Sequence, residues 1–156
     1  MRTVFKNANI ITPMRLIENG VVTVVDSEIK NIYEKEEEVN INKSDREINL
    51  HNQYLAPGFI DIHTHGGGGH DFLDGTVSAI KSASKAHLEF GTTSIIPTTL
   101  ASKQEVLFAF LDNFKKARNK FKNEDGPHLL GVHLEGPYFA PEQKGAQDEK
   151  YIKNPE

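Results

Sequence analysis

The chain has 156 residues, 37% hydrophobic and 26% charged, with 18 basic against 22 acidic side chains and a formal net charge of −4. No basic stripe marks it as a nucleic-acid binder. The absence of cysteine excludes disulfides and thiolate metal sites, so any metal must use histidine and carboxylate ligands.

Met1 to Ile11 lacks the uninterrupted apolar core of a signal peptide, and no apolar run approaches the ~20 residues that cross a bilayer. A cytoplasmic protein with neither nucleic-acid nor membrane partners is expected.

Residues 1–56 suggest short strands forming a small antiparallel β module. Thr3 to Ile11 is the first, closed by Thr12-Pro13. Asn19-Gly20 is a turn signal, followed by the β-branched run Val21 to Val25. Asp26-Ser27-Glu28 turns the chain into Ile29 to Tyr33, and further strands are expected at Glu47 to Leu50 and Gln53 to Leu55. The charged cluster Glu34 to Glu38 fits a solvated turn.

The pattern changes at Ala56-Pro57-Gly58, so residues 57–156 form a second region. Phe59 to His65, Thr92 to Thr98 and Leu129 to Glu135 are β segments. Between the first two, Val77 to Phe90 has helical spacing and ends at Gly91. Between the last two, Ser102 and Glu105 suggest a capping box, and Val106, Leu107, Phe110, Leu111 and Phe114 line one helix face. Strand alternating with helix is the pattern of a parallel α/β fold, and strands as apolar as Ile60-Asp61-Ile62 and Ser94-Ile95-Ile96 suit burial by helices. This pattern fits a doubly wound sheet and a (β/α)8 barrel alike.

Two features carry chemistry. In Pro57-Gly58-Phe59-Ile60-Asp61-Ile62-His63-Thr64-His65-Gly66, residues two apart share a strand face, so His63 and His65 project together from the strand's C-terminal end. That is where barrel enzymes place their catalytic groups, and two converging imidazoles form half of a metal site. The glycines from Gly66 to Gly69 allow a sharp turn and close backbone approach to a ligand. The second feature is His133-Leu134-Glu135-Gly136-Pro137, where Glu135 follows an apolar strand and is costly there unless paired or metal-bound.

These stretches carry a family resemblance. Leu55 to Gly66 resembles the opening strand of the amidohydrolase superfamily. His133 to Phe139, with Lys144-Gly145-Ala146-Gln147, Gly91 to Ser94 and Pro97-Thr98, is similar to its N-acetylglucosamine-6-phosphate deacetylase branch. Hydantoinase-like and dihydroorotase-like relatives generally bridge their metals with a modified lysine, whereas here a glutamate occupies the strand end.

The resemblance implies a (β/α)8 TIM-barrel amidohydrolase fold, with residues 1–56 as part of a flanking β-sandwich module completed by C-terminal strands. Glu135 is implied as the main metal ligand, His63 and His65 as ligands of a second metal, and Ala146 and Gln147 as contacts to the sugar. One or two divalent ions (zinc, iron or manganese), an amino-sugar phosphate substrate and a homodimer follow from the same resemblance.

A complete barrel typically needs ~250 residues, and the stretch from Pro57 accommodates three strand-helix units. The chain is therefore expected to be the N-terminal portion of a longer enzyme and inactive alone. The family's other metal-binding histidines and its catalytic aspartate are expected beyond Glu156, so no catalytic residue is assigned here. The competing readings are another amidohydrolase, acting on cyclic amides or N-acylated amino acids, and a non-catalytic fragment.

The remaining histidines have plainer expectations. His51 falls in the β module, His128 follows a turn, and His87 is expected on a helix face turned away from any strand end. His70 lies in the glycine loop within reach of substrate. His133 shares a face with Glu135 as a supporting residue, and Asp61 shares the face of His63 one step deeper.

Overall fold

The computed structural model describes residues 1–122 and 125–155, which divide into two compact units, Met1–Pro57 and Gly58–Glu156. In the first unit, β1 (Arg2–Ile11), β2 (Leu16–Val25), β3 (Glu28–Tyr33), β4 (Arg46–Asn49) and β5 (Tyr54–Leu55) form one sheet in the order β3-β2-β1-β4, with β5 also on β1. β1, β2 and β3 are antiparallel, but β4 and β5 run parallel to β1. The sheet is therefore mixed rather than antiparallel throughout. The connection from Glu34 to Asp45 is long enough to cross over, as a parallel pairing requires and a tight turn cannot provide.

Asn19-Gly20 does not turn the chain. β2 runs straight through it, and the turn lies earlier, where Thr12 Oγ1 donates to the Arg15 carbonyl at 2.7 Å. Asn19 (φ 55) and Asn7 (φ 52) are instead bulges, at the two places where the β1–β2 register shifts. Gly20 is needed for close packing: a Cβ there would stand 2.6 Å from Ile10 Cδ1 and 2.9 Å from the Tyr33 carbonyl. Both faces of the sheet are apolar. Val4, Val21 and Val39 cluster on one face, and Ala8, Ile10 and Val22 on the other with Phe5, Ile17, Val24 and Leu55.

The second unit runs β6 (Phe59–Thr64), a small hairpin of β7 (Gly66–Gly67) and β8 (His70–Asp71), α1 (Val77–Leu88), β9 (Thr92–Pro97), α2 (Gln104–Lys120) and β10 (His128–Leu129). β10, β9 and β6 form a parallel sheet in that order. Phe72, Ile80, Ala83, Ile95, Phe110, Phe114, Ala117 and Leu129 make its core, so both helices pack on the same cluster as the central strand. Burying a side chain such as Phe110 stabilises by roughly 1.5–3 kcal/mol. On the edge strand β6, Ile60 and Ile62 remain 65% and 64% exposed, and the central strand is buried chiefly on the face the helices cover, with Ile95 buried but Ser94 and Ile96 only half-buried.

Thr76 caps α1 by accepting a hydrogen bond from the Ala79 N–H at 3.0 Å, and Gly91 (φ 93) follows its end. The Ser102–Glu105 capping box does not form. α2 begins after Lys103, which leaves Glu105 at the second helical position instead of the third, out of the reciprocal geometry.

The third β segment is shorter than its apolar run. Pairing stops at Leu129 and returns as a single bridge between Thr98 and His133. Beyond it, the described residues hold two 3-10 turns, Pro141–Gln143 and Glu149–Tyr151. No helix among the described residues is long and apolar enough to cross a membrane.

Candidate metal centre

Strand alternation brings the two histidines together. His63 and His65 leave the end of β6 with ring centroids 5.1 Å apart, edge to face. The chain after β10 carries Glu135 to the same place. Glu135 Oε2 lies 3.4 Å from His63 Nε2 and 3.2 Å from His65 Nε2, and one ligand atom from each residue falls within 4.8 Å of the others.

The chemistry of the trio suits a divalent cation. Glu135 Oε2 is buried and makes no hydrogen bond, although both imidazole nitrogens are near enough in distance. A buried carboxylate oxygen left in this way is costly unless a positive charge takes it. Two imidazoles and a carboxylate are donors for zinc, iron or manganese, and three protein ligands leave coordination positions for water or substrate.

The tautomer of His65 is set from behind. Its Nδ1 lies 3.3 Å from the Thr98 carbonyl, which places the ring proton there and leaves the Nε2 lone pair toward Glu135. The backbone N–H of His63 donates to Asp61 Oδ1 at 3.1 Å, so Asp61 steadies its own strand. His133 stands edge-on to His63 at 4.9 Å, beside the trio but outside the ligand set.

The remaining candidates divide. Gln147 is buried, and its Oε1 accepts a hydrogen bond from the Ala101 N–H at 2.8 Å, while the neighbouring Ala146 is exposed. His70 Nδ1 lies 3.4 Å from Asp74 Oδ2, and His51 and His128 are exposed.

His87 departs from expectation. Its ring faces the strand end, with Nε2 2.9 Å from the Gly66 carbonyl and Nδ1 3.8 Å from Asp61 Oδ2. The glycine loop lies so close on α1 that this face of the helix meets it. A Cβ on Gly67 would stand 3.0 Å from His87 Nε2.

Sequence reasoning gave no role to Thr98 or Thr99, both fully buried at the end of β9 and bonded to each side of the site. The available signal was a pair of hydroxyls where an apolar strand meets its C-terminal end. A cleft of about 410 Å3 lined by Arg118, Lys122 and His128 lies at the opposite strand ends and is separate from this chemistry.

Residues 54–156 match the amidohydrolase family. An N-acetylglucosamine-6-phosphate deacetylase of Bacillus subtilis is 33% identical over 150 residues, covering 95% of this chain and 37% of that protein. An N-acetylgalactosamine-6-phosphate deacetylase of Escherichia coli O157:H7 is 32% identical over 110 residues, 70% of this chain and 28% of that one.

The crystal structure of N-acetylglucosamine-6-phosphate deacetylase from Pasteurella multocida superposes with a TM-score of 0.87 at 30% identity, covering all of this chain and 40% of that one. The chain thus spans well under half the length of these relatives. Its second unit is the opening part of a (β/α)8 amidohydrolase barrel.

Proposed function

The chain belongs to the amidohydrolase family, and from that premise we propose that the protein carrying it removes the acetyl group from N-acetylglucosamine 6-phosphate, giving glucosamine 6-phosphate and acetate. The observation that carries this reading is Glu135, a glutamate on the chain after the third strand, within 3.4 Å of both histidines of the first. A lysine in that place would favour a cyclic-amide hydrolase.

His63, His65 and Glu135 are the proposed ligands of one or two divalent ions, with zinc, iron and manganese all compatible with the donors. A bound ion would supply Lewis acidity toward the amide carbonyl and toward water near neutral pH. Glu135 contributes the negative charge that retains the ion, and His65, held through Nδ1, presents a fixed lone pair.

Ala146 and Gln147 are proposed to line the sugar side. With the Gln147 carbonyl oxygen engaged on Ala101, its amide nitrogen and the exposed Ala146 backbone are the groups left to meet the sugar. The proton-transferring aspartate is proposed to come from a later barrel strand. The intact protein is proposed to be a cytoplasmic homodimer.

The E. coli relative named for N-acetylgalactosamine 6-phosphate supports the C4 epimer as the second reading, because the amide chemistry is the same. The test is acetate release by the intact natural protein from both epimeric phosphates and from unphosphorylated N-acetylglucosamine, before and after chelation and metal return. Metal-dependent preference for the glucosamine phosphate is expected. No hydrolysis of either phosphate with zinc, iron or manganese would rule the proposal out.

A further inference from the structure

We propose that Thr98 and Thr99 are positioning residues of the metal centre, two adjacent buried hydroxyls that set the separation between the His63–His65 pair and Glu135. The inference rests on the reading that these three residues hold a cation.

Successive residues of an extended chain direct their backbone N–H groups to opposite neighbours, so this dipeptide at the end of the central strand is bonded to both flanking segments at once. Toward β6, the Thr98 N–H donates to the Thr64 carbonyl at 2.8 Å and Thr98 Oγ1 accepts from the Thr64 N–H at 3.2 Å. Thr64 is the residue between the two histidines. The Thr98 carbonyl also fixes His65 Nδ1 at 3.3 Å. Toward the other side, the Thr99 N–H donates to the His133 carbonyl at 3.0 Å and Thr99 Oγ1 accepts from the Glu135 N–H at 3.2 Å.

The hydroxyls act where regular pairing gives out. The β6–β9 register shifts between Asp61 and Thr64, and beyond Leu129 only the Thr98–His133 bridge remains. The His65 carbonyl accepts from the Phe72 N–H at 2.8 Å on the far side, but toward the central strand a side-chain oxygen takes the N–H of Thr64 and that of Glu135. Thr98 and Thr99 are 0% and 1% exposed, in a strand whose other buried positions include Ile95. Valine has the same shape and would suit packing alone, whereas only a hydroxyl can accept these two N–H groups.

Thr98→Val and Thr99→Val keep the shape and lose the hydroxyl, while Thr98→Ser and Thr99→Ser keep the hydroxyl and lose the methyl. Each is made in the intact natural protein, stripped of metal and titrated with cobalt(II) by calorimetry, with the visible absorption of the bound cobalt as a second readout. The valine variants should raise the cobalt dissociation constant about 10- to 100-fold and change the absorption band. The serine variants should bind as the wild type does.

Wild-type affinity in the valine variants, or a loss in serine equal to that in valine, overturns the inference and leaves the metal reading standing. A wild-type protein that binds no cobalt removes both. Should a valine variant fail to fold, the serine variant is compared with alanine at the same position: binding by serine and not by alanine supports the inference, and equal loss overturns it.

Discussion

His87 Nε2 lies 2.9 Å from the Gly66 carbonyl oxygen, so a side chain on α1 holds the backbone immediately after His65, a proposed metal ligand. Thr64 Oγ1 joins the same group, 3.3 Å from that carbonyl and 3.4 Å from His87 Nε2. The helix thereby fixes the exit of β6 from outside the strand.

His87→Leu leaves the Gly66 carbonyl without its imidazole donor. Urea unfolding should show a loss of roughly 0.5–1.5 kcal/mol, the net worth of one hydrogen bond, because Thr64 Oγ1 still donates to that carbonyl. An unchanged unfolding midpoint would mean that the loop holds its place without the imidazole.

Glu135→Gln preserves the shape of the side chain but removes its charge. Cobalt affinity should fall by more than the 10- to 100-fold typical of residues that merely support ligands. Calorimetric titration of the intact protein reads this directly, and a smaller loss would demote Glu135 from ligand to neighbour.

The glycines divide into those that packing requires and those that it does not. A Cβ at Gly66 would stand 2.2 Å from the His70 carbonyl, backbone against backbone across the β7–β8 hairpin. Gly66→Ala should cost at least the ~1–3 kcal/mol of an overpacked site. Gly131 has nothing within 4 Å of such a Cβ, and Gly131→Ala should lie between neutral and ~1 kcal/mol stabilising. Thermal unfolding of the two variants side by side checks the ordering.

Asp125 is held below its ordinary carboxyl value of 3.8, first by its hydrogen bond with Lys81 on α1 and then by the Lys122 backbone N–H. A carboxyl depressed in the folded state contributes stability above its unfolded value, and loses it as pH falls through the folded one. The advantage of the wild type over Asp125→Asn should therefore be present at neutral pH and shrink below about pH 4. Melting temperatures of both proteins across that range would show it, and a gap that widens in acid contradicts the assignment.

What the sequence disclosed about the site follows a simple physical line. His63 and His65 were legible because period-two alternation needs only two positions, and Glu135 because a carboxylate ending an apolar strand is conspicuous. His87 was not, since helical spacing says which residues share a face and not which loop that face meets. Thr98 reads in the sequence as the end of a strand, with Thr99 just beyond it, and only the N–H groups that the fold brings to them distinguish a hydroxyl that accepts from one that merely packs.

The fold divided in the same way. Parallel strands and helices followed from apolar runs and stops. The parallel pairing of β4 and β5 with β1 depends on where a long connection goes, which no local pattern records.

The bulges at Asn7 and Asn19 have a consequence for how this chain can vary. The pairing of β1 with β2 slips by one residue after Phe5 and slips back before Ile10. Each asparagine also rephases its own strand, so that Ala8 and Ile10, instead of Asn7 and Asn9, join Phe5 on the apolar face, and Ile17 joins it in place of Glu18. The two residues are matched insertions that cancel. Loss of Asn7 alone would put the rest of β1 one step out of phase with β2, while loss of both would restore a plain hairpin with the same residues inside. Natural variants of this sheet should gain or lose the two positions together.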